Sequence, residues 1–117
     1  MSQAPTTTGE RFERLVGIMA RLRAPKGCPW DRQQDHLSLR WHTVEEVYEL
    51  MDAIEAGDDH ELAEELGDLL LQIVFHCQLA RERGAFDFDA IGFQVDGDVQ
   101  PIFQQVKIFV PGPKQGF

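Results

Sequence analysis

Residues 43–79, TVEEVYELMDAIEAGDDHELAEELGDLLLQIVFHCQL, decide how this chain folds. Val44, Val47, Tyr48, Met51 and Ile54 recur at helical spacing, then Ala56-Gly57-Asp58-Asp59 breaks the pattern. Past the break, Leu62, Leu66, Leu69, Leu70, Ile73, Val74 and Cys77 form a second apolar stripe, which Leu71, Phe75 and Leu79 widen. Two helices joined by so short a turn make an antiparallel hairpin. Thr43 with Glu46 reads as a capping box at the start of the first helix, and Asp58 with Glu61 as the start of the second. The second helix should end near Arg83, with Gly84 as its stop. From Leu69 onward it is apolar almost all round, so it must be covered on several sides, by its own chain or by a partner.

The same two helices carry most of the acidic residues. Glu45, Glu46 and Glu49 lie within one turn of each other, and Glu65 and Asp68 are three apart. Glu49 stands eight residues before Gly57 and Glu65 eight after. Each is thus about 12 Å from the turn at 1.5 Å per residue, so the two share one level. Glu45 and Asp68 are level by the same reasoning, one turn further out. Carboxylates gathered in this way repel and take up protons unless a cation compensates. Hard oxygen donors without Cys or His at those levels favour Mg²⁺ or Mn²⁺ over Zn²⁺. A Glu-x-x-His pair, the mark of di-iron bundles, is absent from the sequence. The bland alternative is an acidic helical bundle in which these residues are surface charge and helix-start acids.

Working outward, Thr7 with Glu10 opens a first helix on which Phe12, Leu15, Val16, Met19 and Leu22 face one way. Pro25 ends it near Ala24. The loop Pro25-Lys26-Gly27-Cys28-Pro29-Trp30-Asp31 follows, and Asp31 is placed to cap a short helix to about Leu39. Residues 1–9 read as a disordered leader, 10–91 as one helical domain and 92–117 as a separate tail. In the tail, Ile102, Phe103, Val106, Phe109 and Val110 fit a short helix, while Val106, Ile108 and Val110 fit a strand equally well.

The chain has 117 residues, 43% of them hydrophobic, and a net charge of −9. That length suits one domain with a small core, a size at which pairing with a second copy adds useful burial. Residues 1–43 hold seven basic and four acidic side chains, whereas 44–91 hold two basic and fourteen acidic. So acidic a middle segment argues against a nucleic-acid polymer and against an anionic membrane surface as partners. Cys28 and Cys77 make no Cys-x-x-Cys pair, and the start of the chain lacks the apolar core of a signal peptide. No stretch approaches a membrane span. These features point to the cytoplasm.

Taken together, these motifs resemble those of the MazG family of nucleoside triphosphate pyrophosphohydrolases. Glu45-Glu46-Val47-Tyr48-Glu49 and Glu65-Leu66-Gly67-Asp68 fit the family's E-E-x-x-E … E-x-x-D signature. The stretches 18–23, 27–31, 52–54, 64–72 and 86–89 are similar as well. The resemblance implies an all-α helical bundle completed by a homodimer, and Mg²⁺-dependent hydrolysis of nucleoside triphosphates to monophosphate and pyrophosphate. It implies a metal site of Glu45, Glu46, Glu49, Glu65 and Asp68, with Glu46 or Glu49 as general base. Trp30 then has two readings, a core plug or a stacking surface for the base. Lys26, Arg32 and Arg40 are either surface charges or phosphate contacts. Asp35 stands where the family commonly has Thr, and the tail lacks the family's helix and basic segment. That departure keeps a second reading open, a non-catalytic dimerisation or regulatory module.

Overall fold

The computed structural model describes residue 4, residues 6–92 and residues 94–97. Four helices follow in order: α1 (Thr8–Arg23), α2 (Pro29–Gln33), α3 (His36–Ala56) and α4 (Asp59–Glu82). Residues 88–92 and 94–97 are also helical, and no strand occurs among the described residues. The fold is all-α. The helix and strand readings of 102–110 lie outside the described residues.

Helix starts follow local hydrogen bonding. Thr7 caps α1 in a capping box with Glu10, inside the stretch read as leader. A similar box between Asp35 and Ser38 opens α3, with the Ser38 amide donating to Asp35 Oδ1 at 2.7 Å. The expected cap at Thr43 is therefore eight residues too late. Nothing between His36 and Trp41 breaks a helix, so the earlier cap wins, and Thr43 lies inside α3 with its hydroxyl 3.2 Å from the Leu39 carbonyl oxygen. Asp31 likewise sits within α2 rather than capping it; Cys28 holds the N-cap position and Pro29 follows it. Asp35 does for α3 what a Thr would do, since both side chains accept from the first-turn amides.

The α3–α4 hairpin turns as expected. Gly57 takes the left-handed conformation (φ 71°) at the end of α3, its amide donating to the Ala53 and Ile54 carbonyls. Asp58 then caps α4, accepting from the His60 and Glu61 amides. Positions 39, 43, 46, 50 and 53 of α3 are buried or half-buried, as are 62, 65, 69, 72 and 76 of α4. Both series step by threes and fours, the spacing of one helix seam against another. Thr43 and Gln72 meet across this seam at 3.2 Å.

The core lies toward the end of the hairpin away from Gly57. Met19, Leu39, Val74, Phe75 and Leu79 are buried there, with Leu15, Val16, Leu70 and Phe88 packed against them. α1 crosses α4 at this end, and Phe88 folds back so that its ring centroid is 5.9 Å from that of Phe12. His36 and His76 lie edge to edge, their rings within 5° of parallel and their Nδ1 atoms 2.8 Å apart. Arg83 Nε donates to His36 Nε2 at 3.4 Å, on the far side of the ring from His76.

The stripe Val44, Val47, Tyr48, Met51 and Ile54 is not in this core. Each is 40–64% exposed, and Leu37 and Trp41 are exposed too, at 68% and 64%. In this chain α4 packs against a neighbouring face of α3, so the broader apolar stripe is left uncovered.

Two glycines are required for different reasons. Gly57 has open space around it but a left-handed backbone, whereas a Cβ on Gly27 would meet the Arg21 and Leu22 carbonyls. Gly57→Ala should therefore cost about 1 kcal/mol, the left-handed penalty. Gly27→Ala should cost more, at the upper end of the ~0.5–3 kcal/mol typical of point substitutions, because backbone must move. Urea denaturation midpoints check the order.

Candidate metal and active site

One seam position on each hairpin helix is filled by a carboxylate where packing would favour an apolar side chain. On α3 it is Glu46, and on α4 it is Glu65; both are half-buried. Glu49, one turn beyond Glu46, is exposed and leans into the same place. Each of the three offers a carboxylate oxygen, and these oxygens lie within 4.8 Å of one another. Glu46 Oε2 and Glu65 Oε2 are buried without a hydrogen-bond partner.

Two buried, unpartnered acceptors beside a third carboxylate are unfavourable unless a proton or a cation joins them. The proton affinities show this strain. Burial and the adjoining Glu49 carboxyl push Glu65 up to about 7, with Asp68 and Glu46 acting in the same direction. Burial raises Glu46 as well, reinforced by Asp68, Glu49 and Glu45. Among the described residues, no Lys or Arg pairs with these carboxylates. Three hard oxygen donors fit a divalent cation of the Mg²⁺ or Mn²⁺ type, with water or substrate completing the shell.

Glu45 and Asp68 are not within that group. Both are exposed, and Glu45 lies 3.5 Å from His42 Nδ1. Equal distance from the turn puts residues on one level, yet the angle around the helix decides which of them face each other. Glu45 and Glu46 are about 100° apart on that circle, and Glu46 takes the inner place. Asp68 is still close enough to raise both Glu46 and Glu65.

Trp30 is 48% exposed, and its ring stands nearly at right angles to those of Phe75 and His42, at 6.3 and 5.4 Å between centroids. It is part core plug and part open surface. Lys26 and Arg32 are exposed, as is Arg40, whose guanidinium lies 5.3 Å from the Trp41 ring. His42, given no role by the sequence reading, stands between Trp30 and Glu45. A spacing argument could have found it, since His42 is one turn before both Glu45 and Glu46. A cavity of about 520 Å³ opens elsewhere, between α1 and α4, lined by Phe12, Val16, Cys77 and Arg81 among others. It contains none of the three carboxylates.

Residues 34–93 match the MazG nucleotide pyrophosphohydrolase domain, which is just over half of the chain. The chain belongs to this family. It is 55% identical over 83 residues to a Thermotoga maritima protein named nucleoside triphosphate pyrophosphohydrolase/pyrophosphatase MazG, covering 71% of this chain and 32% of that protein. It is 50% identical over 82 residues to the nucleoside triphosphate pyrophosphohydrolase of Escherichia coli K12, covering 69% and 31%. The Mycobacterium tuberculosis protein of that name is 42% identical over 88 residues, covering 75% and 26%. The chain thus spans between about a quarter and a third of the length of these relatives. All three gathered carboxylates fall within the matched residues, whereas Lys26, Trp30 and Arg32 precede them.

The raised Glu65 pKa has a definite sign. Between about 4.5 and 7 the folded state holds a proton that the unfolded state has lost, so stability is present below 4.5 and declines as pH rises through 7. His76, lowered by burial and by His36, acts in the opposite direction near neutrality. The difference between wild type and Glu65→Gln isolates the carboxylate. In metal-free buffer the variant should gain melting temperature over wild type at pH 8 and not at pH 4. Millimolar Mg²⁺ should raise the wild-type melting temperature at pH 8 and leave the variant nearly unchanged.

Proposed function

We propose that this chain is a Mg²⁺-dependent nucleoside triphosphate pyrophosphohydrolase, which converts a triphosphate and water to a monophosphate and pyrophosphate. The observation that carries this reading is the meeting of Glu46, Glu49 and Glu65 with two buried oxygens lacking partners. Family membership and the printed names of the relatives support it.

A triphosphate is strongly negative and would be repelled by the acidic hairpin unaided. Glu46, Glu49 and Glu65 would hold a divalent cation, with Glu45 and Asp68 nearby, and such an ion would supply positive charge toward the phosphates and favour ionisation of a water. The rest falls to the chain. A carboxylate of the group, Glu46 or Glu49, takes the proton of the water that attacks the α-phosphorus. The bond from that phosphorus to the bridging oxygen breaks, and pyrophosphate leaves with the electron pair. The exposed part of Trp30 is available to the base, and the exposed Lys26 and Arg32 to the phosphates. Such an activity would serve clean-up of the nucleotide pool. Free Cys28 and Cys77, and the absence of a membrane-spanning helix among the described residues, agree with a cytoplasmic setting.

The exposed face of α3 supports a homodimer. Leu37, Trp41, Val44, Tyr48 and Met51 step by fours and threes along it, and Leu66 and Ile73 are exposed on α4. A second copy would cover this seam. Met51→Asp should shift the mass in light scattering from two chains to one.

Pyrophosphate release from a panel of nucleoside and deoxynucleoside triphosphates tests the activity. Glu49→Gln should lower kcat by about 10²-fold or more, the scale of a lost proton acceptor, with helicity unchanged. Metal-dependent stabilisation without turnover of any nucleotide would favour the dimerisation or regulatory module and overturn the enzyme reading.

A further inference from the structure

Arg23 is the last residue of α1, and its side chain is only 12% exposed. It spends its donors on two distant partners at once. Nε and Nη2 grip the Glu82 carboxylate at 3.0 and 2.6 Å, joining the end of α1 to the end of α4. Nη1 donates to the carbonyls of Asp31 at 2.7 Å and Gln34 at 3.0 Å. Those carbonyls lie at the C-terminal end of α2. Glu82 is itself held by Gln78 Nε2 at 3.0 Å, and the paired charges keep Arg23 protonated and Glu82 ionised.

α2 needs such an anchor. It has five residues, and its N-cap makes no side-chain hydrogen bond. The approach to it is held by the Cys28 amide on the Leu22 carbonyl, and its last turn by Gln34 Nε2 on the Trp30 carbonyl. Its largest side chain is Trp30, nearly at right angles to the ring of His42, which is one turn before Glu46. A rotation of α2 would swing the exposed part of Trp30 relative to the carboxylate group. Besides these bonds and the contacts of Trp30 with Phe75 and His42, a guanidinium fork that reaches α4 and the end of α2 from one point opposes that rotation. A lysine cannot reproduce it, because one ammonium cannot hold a bidentate carboxylate and two carbonyls in fixed directions.

We infer that Arg23 is a positioning residue for nucleotide binding: clamped to Glu82, it fixes α2 and thereby the angle at which Trp30 faces the substrate. This rests on the reading of Trp30 as the base-contacting surface, and the test separates the two. All variants are made in a Trp41→Phe background, in which Trp30 is the remaining tryptophan. Assays are run well below each melting temperature, so that lost stability does not register as lost binding. Arg23→Lys should increase acrylamide quenching of Trp30 in the nucleotide-free protein. It should also raise KM for the triphosphate about fivefold or more while kcat stays within about twofold, the pattern of lost binding without lost chemistry. Glu82→Gln, which keeps the carbonyl bonds of Arg23, should reproduce both effects in weaker form. Adding Arg23→Lys to Trp30→Ala should raise KM no further than Trp30→Ala does, because both act through one ring.

Unchanged quenching in Arg23→Lys would overturn the clamp, whatever Trp30 does. Increased quenching with unchanged KM would overturn its role in binding. If Trp30→Ala itself leaves KM unchanged, the reading of Trp30 fails and the functional part of the inference fails with it. Additive effects of Arg23→Lys and Trp30→Ala on KM would assign Arg23 a route other than Trp30 and overturn the proposal.

Discussion

The repulsion among Glu46, Glu49 and Glu65 is the constraint around which the hairpin is arranged. A seam between two helices is normally closed by apolar side chains, and each one buried there contributes about 1.5–3 kcal/mol. Here Glu46 and Glu65 occupy two of the seam positions, and each buries an oxygen without a partner. The protein tolerates this because the two helices are fixed elsewhere. Gly57 sets the turn at one end, and Leu39, Val74, Phe75 and Leu79 close the other. The carboxylates are held between these fixed points and cannot simply move apart.

That arrangement has a cost in stability. Carboxylates held this close repel one another when nothing joins them. The upward displacement of Glu65 to about 7 expresses that cost as a proton affinity. The core at the far end, with Met19 brought in from α1, offsets it. The Arg23–Glu82 pair belongs to the same logic, because it locks the ends of α1, α2 and α4 without adding apolar bulk near the site.

Much of this was legible in the residues. The turn at Gly57 and the starts at Thr7 and Asp58 are chemically distinctive, since few residue types supply a left-handed backbone or a capping oxygen. The levelling of Glu49 with Glu65 needed little more than the rise per residue. The start of α3 is ambiguous in the sequence because two capping pairs, Asp35 with Ser38 and Thr43 with Glu46, compete with their caps eight residues apart, and residues 36–42 between the caps contain no helix breaker. The apolar stripe of α3 was legible as a stripe but not as an exposed one. Periodicity reports that a face is apolar without saying which neighbour covers it.

The sequence by itself determined the all-α class, the hairpin, the level of the acidic residues and the membership signalled by its motifs. Each of these depends on local backbone preferences or on distance along one helix. The tertiary structure decided which carboxylates meet. Glu45 and Glu46 are adjacent in the chain, yet the rotation of α3 against α4 turns Glu46 inward and leaves Glu45 beside His42. It also decided that Arg23, 59 residues from Glu82, governs the short helix that carries Trp30. Rotational setting and long-range pairing arise from how side chains fill the space between helices, and no spacing within a single helix encodes that.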